Sequence, residues 1–95
     1  MAALAGCGKA KPEYTEQDFE QALVAGENLD GKTVEIVVKE LKPQSAFGYN
    51  VIAGEHLNFV SPENPNVKVG DKLVLKVTKT TSLMGSWIMT YEKMN

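Results

Sequence analysis

Val67-Lys68-Val69-Gly70-Asp71-Lys72-Leu73-Val74-Leu75-Lys76-Val77-Thr78-Lys79 decides how the chain is read. Gly70-Asp71 supplies a permissive backbone and a short side-chain acceptor, the two ingredients of a sharp reversal. Beyond it the period is two, with Leu73, Leu75 and Val77 on one side and Lys72, Lys76 and Thr78 on the other. Such alternation marks a half-buried strand, because successive side chains of an extended chain point to opposite faces. A single strand cannot bury that apolar side alone, so partners must lie elsewhere in the chain.

Working outward, Gly85-Ser86 reads as a turn and Trp87-Ile88-Met89-Thr90-Tyr91-Glu92-Lys93 as the returning strand of a hairpin. Upstream, His56-Leu57-Asn58-Phe59-Val60 places Leu57 and Phe59 on one side, and Phe47-Gly48-Tyr49-Asn50-Val51-Ile52 precedes it with Gly48 permitting a bend. Thr33-Val34-Glu35-Ile36-Val37-Val38-Lys39 puts Val34, Ile36 and Val38 together. Lys42-Pro43-Gln44-Ser45, Ala53-Gly54-Glu55 and Ser61-Pro62-Glu63-Asn64-Pro65-Asn66 separate these runs, the prolines stopping any ladder. Five strands of this length bury one face by curling closed, which also removes exposed edges.

A helix precedes the strands. Thr15 offers an N-cap hydroxyl, Glu16, Asp18 and Glu20 suit the positive helix end, and Phe19, Ala22 and Leu23 form one apolar stripe. Gly26 is placed to end the helix, and Asn28-Leu29-Asp30-Gly31 reads as a turn into the first strand. Phe59 and Trp87 are expected to pack in the core.

The chain has 95 residues, 43% hydrophobic and 23% charged, which suits one globular domain and not a disordered segment. All ten cationic residues are Lys and the net charge is −2, so there is no guanidinium fork for phosphates or base edges, which argues against nucleic acid. Charge is uneven: Lys11–Glu40 holds three Lys against eight acids, and Pro65–Asn95 five Lys against two acids. One Cys and one His exclude an intramolecular disulfide and a Cys/His zinc site. Nothing approaches the run of about 18 apolar residues that a membrane span needs.

Leu4-Ala5-Gly6-Cys7 resembles the lipobox that ends a bacterial lipoprotein signal peptide, and Gly8-Lys9-Ala10-Lys11-Pro12 then suits a flexible tether. Met1 to Gly6 is shorter than the about 7–15 apolar residues of a full signal, so the expectation is a trimmed leader. This resemblance implies a lipid on Cys7, a membrane as one partner, and residence on the extracytoplasmic face of a bacterial membrane. Residues 1–13 are then lipobox remnant and tether, and residues 14–95 a single domain.

The Gly70-Asp71 turn with its strand Lys72–Val77 looks like the corresponding turn and strand of OB-fold domains. Over about Lys32–Met94 the chain is similar to small bacterial lipoproteins carrying a compact OB domain of the tRNA-anticodon-binding-like kind. The resemblance implies a mostly β fold, a five-stranded OB-like Greek-key barrel preceded by a short α-helix. Binding of tRNA does not carry over to an arginine-free, acidic chain.

Catalytic residues are scarce. His56 is the lone imidazole, and no motif joins it to Ser45, Ser61 or Ser86 with an orienting acid. Glu63, Asn64, Asn66 and Asp71 lack the alternating oxygen spacing of a calcium loop. The expectation is a monomeric, non-enzymatic module without cofactor, binding an unidentified envelope ligand or protein. The OB face of the second and third strands would gather Phe47, Tyr49, His56 and Asn58, rings beside polar groups, with Tyr49 the surface member. The alternative is a cytoplasmic or secreted interaction domain meeting an acidic partner through Lys68, Lys72, Lys76 and Lys79.

Overall fold

A computed structural model describes residues 12–42 and 48–94. Its elements are β1 (Tyr14–Thr15), α1 (Glu16–Val24), β2 (Thr33–Val37), β3 (Glu40–Lys42), β4 (Tyr49–Ala53), β5 (Leu57–Ser61), β6 (Lys72–Leu83) and β7 (Ser86–Lys93). The protein is mostly β with one short helix.

The strands form one mixed sheet in the order β1-β2-β6-β7-β5-β4-β3. The β1–β2 and β5–β7 pairs are parallel and the rest antiparallel. β2 and β3 stand near opposite ends of that order, yet only Val38 and Lys39 separate them along the chain. The sheet therefore has to curl until its two ends meet on one stretch of backbone. At the junction Val38 N donates to Asp71 O at 2.8 Å and Lys39 N to Ile52 O at 2.8 Å, so the stretch is held from both sides.

This curl explains why seven strands are observed where five are expected. The expected first strand, Thr33–Lys39, stops at Val37 as β2, and β3 follows past its expected end at Glu40–Lys42, because a stretch serving both ends of a curled sheet must bend. Val38 is buried but Lys39 and Glu40 are both exposed, a slip in the alternation at the bend. The seventh strand is the two-residue β1, which aligns Tyr14 with Val34 and Thr15 with Glu35. His56 falls in the turn between β4 and β5, and β6 runs beyond Lys79 to Leu83.

The interior follows the alternation. Val34, Ile36 and Val38, Leu57 and Phe59, and Leu73, Leu75 and Val77 are all buried, with Met89 joining them from β7. α1 lays Phe19, Ala22 and Leu23 on the same core, and Tyr14 meets Phe19 edge-on with ring centroids 5.7 Å apart. Thr15 Oγ1 accepts from Asp18 N at 3.2 Å as the N-cap. At the other end Gly26 adopts φ +86°, a conformation that costs a side-chain-bearing residue strain. Gly26 N then donates to Leu23 O and Glu27 N to Ala22 O, each at 3.0 Å, closing the helix with a paired terminal motif.

One irregularity shapes the surface. The β6–β7 register shifts between Val77 and Lys79, where an extra residue is accommodated as a bulge. Thr80 then faces buried Met89 and Ser82 faces Trp87. Thr80 is three residues beyond inward-facing Val77 and would point outward in a regular strand. The bulge turns it inward.

Candidate functional site

Glu16 and Glu20 lie four residues apart on α1 and so share one face of the helix. That face meets the β4–β5 turn and the end of β2. Glu16 Oε1 accepts from Val37 N and its Oε2 from Gly54 N at 3.1 Å. Glu20 Oε1 accepts from Glu55 N at 3.0 Å, and its Oε2 from His56 N at 2.9 Å while lying 3.0 Å from His56 Nδ1. Two carboxylates thus take up backbone donors that the turn would otherwise leave to water. Gly54 makes the approach possible: at φ +55° a Cβ would stand 2.6 Å from Glu20 Oε1. Hydrogen bonds to charged groups contribute about 1.5–3 kcal/mol each at best, so this clamp holds the helix across one end of the curled sheet.

Besides a depression of about 250 Å³ on the clamp itself, lined by Glu16, Gln17, Glu20, Gly54 and Glu55, three others lie among the described residues. One of about 380 Å³ lies beside the clamp, lined by Gln17, Glu20, Gln21, Val24, Glu55 and His56. A second of about 200 Å³ is lined by Leu41, Tyr49, Asn50, Asn64, Pro65 and Val67. The third, of about 370 Å³, opens where the end of α1 and the Asn28–Asp30 turn face the inner side of the β6–β7 hairpin, at Thr80, Ser82 and Trp87.

The walls of the third depression are tied by hydrogen bonds. Leu29 is 1% exposed and anchors its turn. Asn28 Oδ1 accepts from Asp30 N at 3.0 Å, Lys32 N donates to Leu29 O at 3.0 Å, and Gly31 N donates to Val77 O at 2.6 Å. Opposite, half-buried Trp87 packs on the core and is fixed by donation from its backbone N to His56 O at 2.9 Å. Thr80 Oγ1 is buried and has no hydrogen-bond partner. A buried hydroxyl left unpaired costs about 1–3 kcal/mol, and this one is closed off from solvent behind the wall of the depression.

The expected site residues are distributed over the molecule. Cys7 and Phe47 lie outside the described residues. Tyr49 starts β4 opposite Ser61, half-buried in the second depression. His56 stands at the other end of the β4–β5 pair, exposed and bound to Glu20 in the first depression. Asn58 sits between Ile52 and Ile88 on the outer side of the sheet, away from the side that Leu57 and Phe59 fill, with its Oδ1 buried and unpartnered. Tyr49, His56 and Asn58 therefore do not meet in one place. Tyr91 meets Phe59 edge-on at 6.0 Å, and burial pushes its phenol above the ordinary value, with the nearby Ser61 side chain offsetting part of the rise although the hydroxyl makes no hydrogen bond of normal geometry.

Reading the chain alone misses Thr80, Ser82 and Asn28 as groove residues and treats Trp87 only as core. The available signal is Thr78-Lys79-Thr80-Thr81-Ser82, where a strand that has been apolar on alternate positions becomes polar on both. Among the described residues no three His, Cys, Asp or Glu side chains cluster to hold a metal ion, and no helix is long and apolar enough to cross a membrane. Comparison with protein-family models, curated proteins and solved structures gives no match for this chain.

Proposed function

We propose that the protein is a non-enzymatic binding module of the OB type, anchored by a lipid on Cys7 to the extracytoplasmic face of a bacterial membrane. Leu4-Ala5-Gly6-Cys7, followed by a small polar tether running into the domain, carries the anchoring part. Strand connectivity supports the fold part. If Thr33–Lys42 is counted as one bent strand and β4, β5, β6 and β7 as the next four, the pairing runs first, second, third, fifth, fourth and back to the first, with the third and fifth parallel. Such an order is consistent with a Greek-key arrangement of the OB kind. A binding role is supported by the depression at Trp87, which polar residues including Asn28, Asp30 and Ser82 line.

Expression with the native upstream region in a bacterial host, followed by mass spectrometry, tests the reading. The expected result is a diacylglycerol group on Cys7 and recovery with the membrane fraction, both lost in Cys7→Ser. An unmodified Cys7 on a protein that stays in the soluble fraction overturns it.

A second reading, an unanchored interaction domain that meets an acidic partner, is favoured by the exposure of Lys68, Lys72 and Lys79. Lys76 stands opposite Glu92, which dilutes that surface. Association of this kind weakens steeply as salt rises.

A further inference from the structure

We propose that the end of the domain formed by Val37, the Lys68–Asp71 turn, Lys72 and Met94 docks on a bilayer carrying anionic phospholipid headgroups. The proposal deepens the anchored-module reading and rests on it for a bilayer within reach.

Three of the large apolar side chains exposed among the described residues gather where β6 begins. Val37 is 44% exposed, Val69 63% and Met94 38%. Val37 stands opposite Lys72 in the β2–β6 register. Both point to the outer side of the sheet, since their neighbours Ile36 and Leu73 fill the core. Val69 is carried to the same place by its turn, in which Gly70 N donates to Val38 O and Val38 N to Asp71 O, each at 2.8 Å. Met94 follows β7, and its N donates to Val74 O at 2.8 Å, which brings it beside the first residues of β6. Val24 and Met84, also exposed, lie apart from this group, on α1 and at the far tip of the β6–β7 hairpin.

Lysines alternate with these residues. Lys68 and Lys72 flank the Val69-Gly70 tip and are exposed, as is Lys93 next to Met94. The acid in the turn, Asp71, is half-buried, and its Oδ2 accepts from Lys68 N at 2.9 Å. Glu35 stands opposite Val74 and Glu92 opposite Lys76, both farther along the sheet. Lys39 and Glu40, both exposed at the bend, offset each other.

Single apolar side chains set among lysines form neither a pocket for a small molecule nor the continuous apolar centre of a protein interface. They match the boundary layer of a bilayer, where short apolar side chains enter between the headgroups and ammonium groups stay at the level of the phosphates. Every cation here is an ammonium, a point charge that pairs with a phosphodiester without the forked geometry of a guanidinium. An acidic protein would engage the lysines but would leave Val37, Val69 and Met94 without a role.

The tether permits this orientation. Glu13 N donates to Thr33 O at 3.2 Å, so the chain joins the domain at the start of β2. From Thr33 to Val37 is four steps of strand, about 13 Å. The six steps from Cys7 to Glu13 can span about 20 Å, enough for a lipid on Cys7 to enter the plane that the patch touches.

Cys7 is the only cysteine in the chain, so the full chain can be coupled through it to a maleimide lipid, which supplies the anchor chemically. The experiment places the coupled chain on nanodiscs doped with a gadolinium-chelating lipid and reads amide relaxation by NMR. One set of discs is phosphatidylcholine alone, the other phosphatidylcholine and phosphatidylglycerol in equal parts. On the mixed discs the amides of Val37, Val69, Lys72 and Met94 should relax several-fold faster than those of Met84 and Gly85, and on phosphatidylcholine alone the contrast should fall away. Partitioning of the uncoupled chain onto vesicles of the mixed composition should drop about tenfold or more in Lys68→Gln/Lys72→Gln, since each lysine near an anionic surface strengthens it about fivefold. Val69→Ser should weaken it several-fold, with the melting temperature of both variants near that of the parent chain. Equal relaxation at the two ends of β6, the same contrast on both kinds of disc, or variants that partition like the parent overturn the proposal. So does binding of poly-L-glutamate in preference to the mixed vesicles, which would give the patch to an acidic protein. Docking by the coupled chain, when Cys7 proves unmodified in the cell, would keep the surface and reject the native anchor; a lipidated chain that does not dock would do the reverse.

Discussion

The two halves of β6 belong to one strand and pair with one neighbour, β7, yet they do different work. From Lys72 to Val77 the inner side is Leu73, Leu75 and Val77, all within 6% exposure, and it closes the core. From Thr78 onward the inner side is Thr80 and Ser82, which leave a groove beside Trp87. Between them sits the register shift. The contrast teaches that one strand can close the core in one half and border an open depression in the other when a bulge separates the two.

The largest expected effect tests the core half. Leu75→Ala removes a fully buried side chain and should cost about 2–5 kcal/mol in urea denaturation, the range for such truncations; a loss below about 1 kcal/mol would mean that this half of β6 is not the core. Next comes the clamp that braces the same end of the sheet. Glu20→Ala strips acceptors from Glu55 N and His56 N, and about 2 kcal/mol should be lost. Hydrogen exchange at those two amides is expected to accelerate before exchange at Leu75 does. Gly54→Ala should cost about 1–2 kcal/mol, because the new methyl is forced into a left-handed backbone against the Glu20 carboxylate; an unchanged midpoint would show that the turn does not need Glu20 so close.

Tyr91 sharpens the comparison through pH. Its folded-state pKa is raised by burial, so the native state holds the proton longer than the unfolded chain. The stabilisation is complete below the ordinary tyrosine value of about 10 and is lost as pH climbs past it. Tyr91→Phe should therefore flatten the alkaline fall of the melting temperature and leave neutral pH almost unaffected; an equally steep fall in both proteins would count against a buried phenol. The smallest effect belongs to the groove half. Thr80→Val removes an unpaired hydroxyl at nearly constant shape and should shift stability by less than about 1 kcal/mol, if anything upward. A loss as large as that of Leu75→Ala would erase the difference between the halves.

Local structure was legible from residue order. Thr15 and Gly26 mark the helix ends, and the buried stripe is the Phe19, Ala22 and Leu23 set that helical spacing picks out. Strand faces follow in the same way, because burial obeys a period of two wherever only one side is covered. The bend at Val38-Lys39 was not legible, since it arises from a demand that the curled sheet places on a strand engaged at both ends. Tyr14-Thr15 is too short for any periodic signal. The site was less legible still: Tyr49, His56 and Asn58 are near in sequence but occupy two depressions and the outer side of the sheet, whereas Asn28 and Thr80 are far apart in sequence and share a groove.

The sequence by itself determined the class of fold, the helix and its caps, and which side of each strand is apolar. These are short-range matters, settled by spacing, capping chemistry and the alternation of side chains. Only the tertiary structure decided that the sheet curls onto Thr33–Lys42, that Glu16 and Glu20 reach across to the β4–β5 turn, and that Thr80 turns inward toward Trp87. Each of these joins residues distant along the chain, and such contacts depend on the register of whole strands, which one residue more or less at a bulge is enough to change.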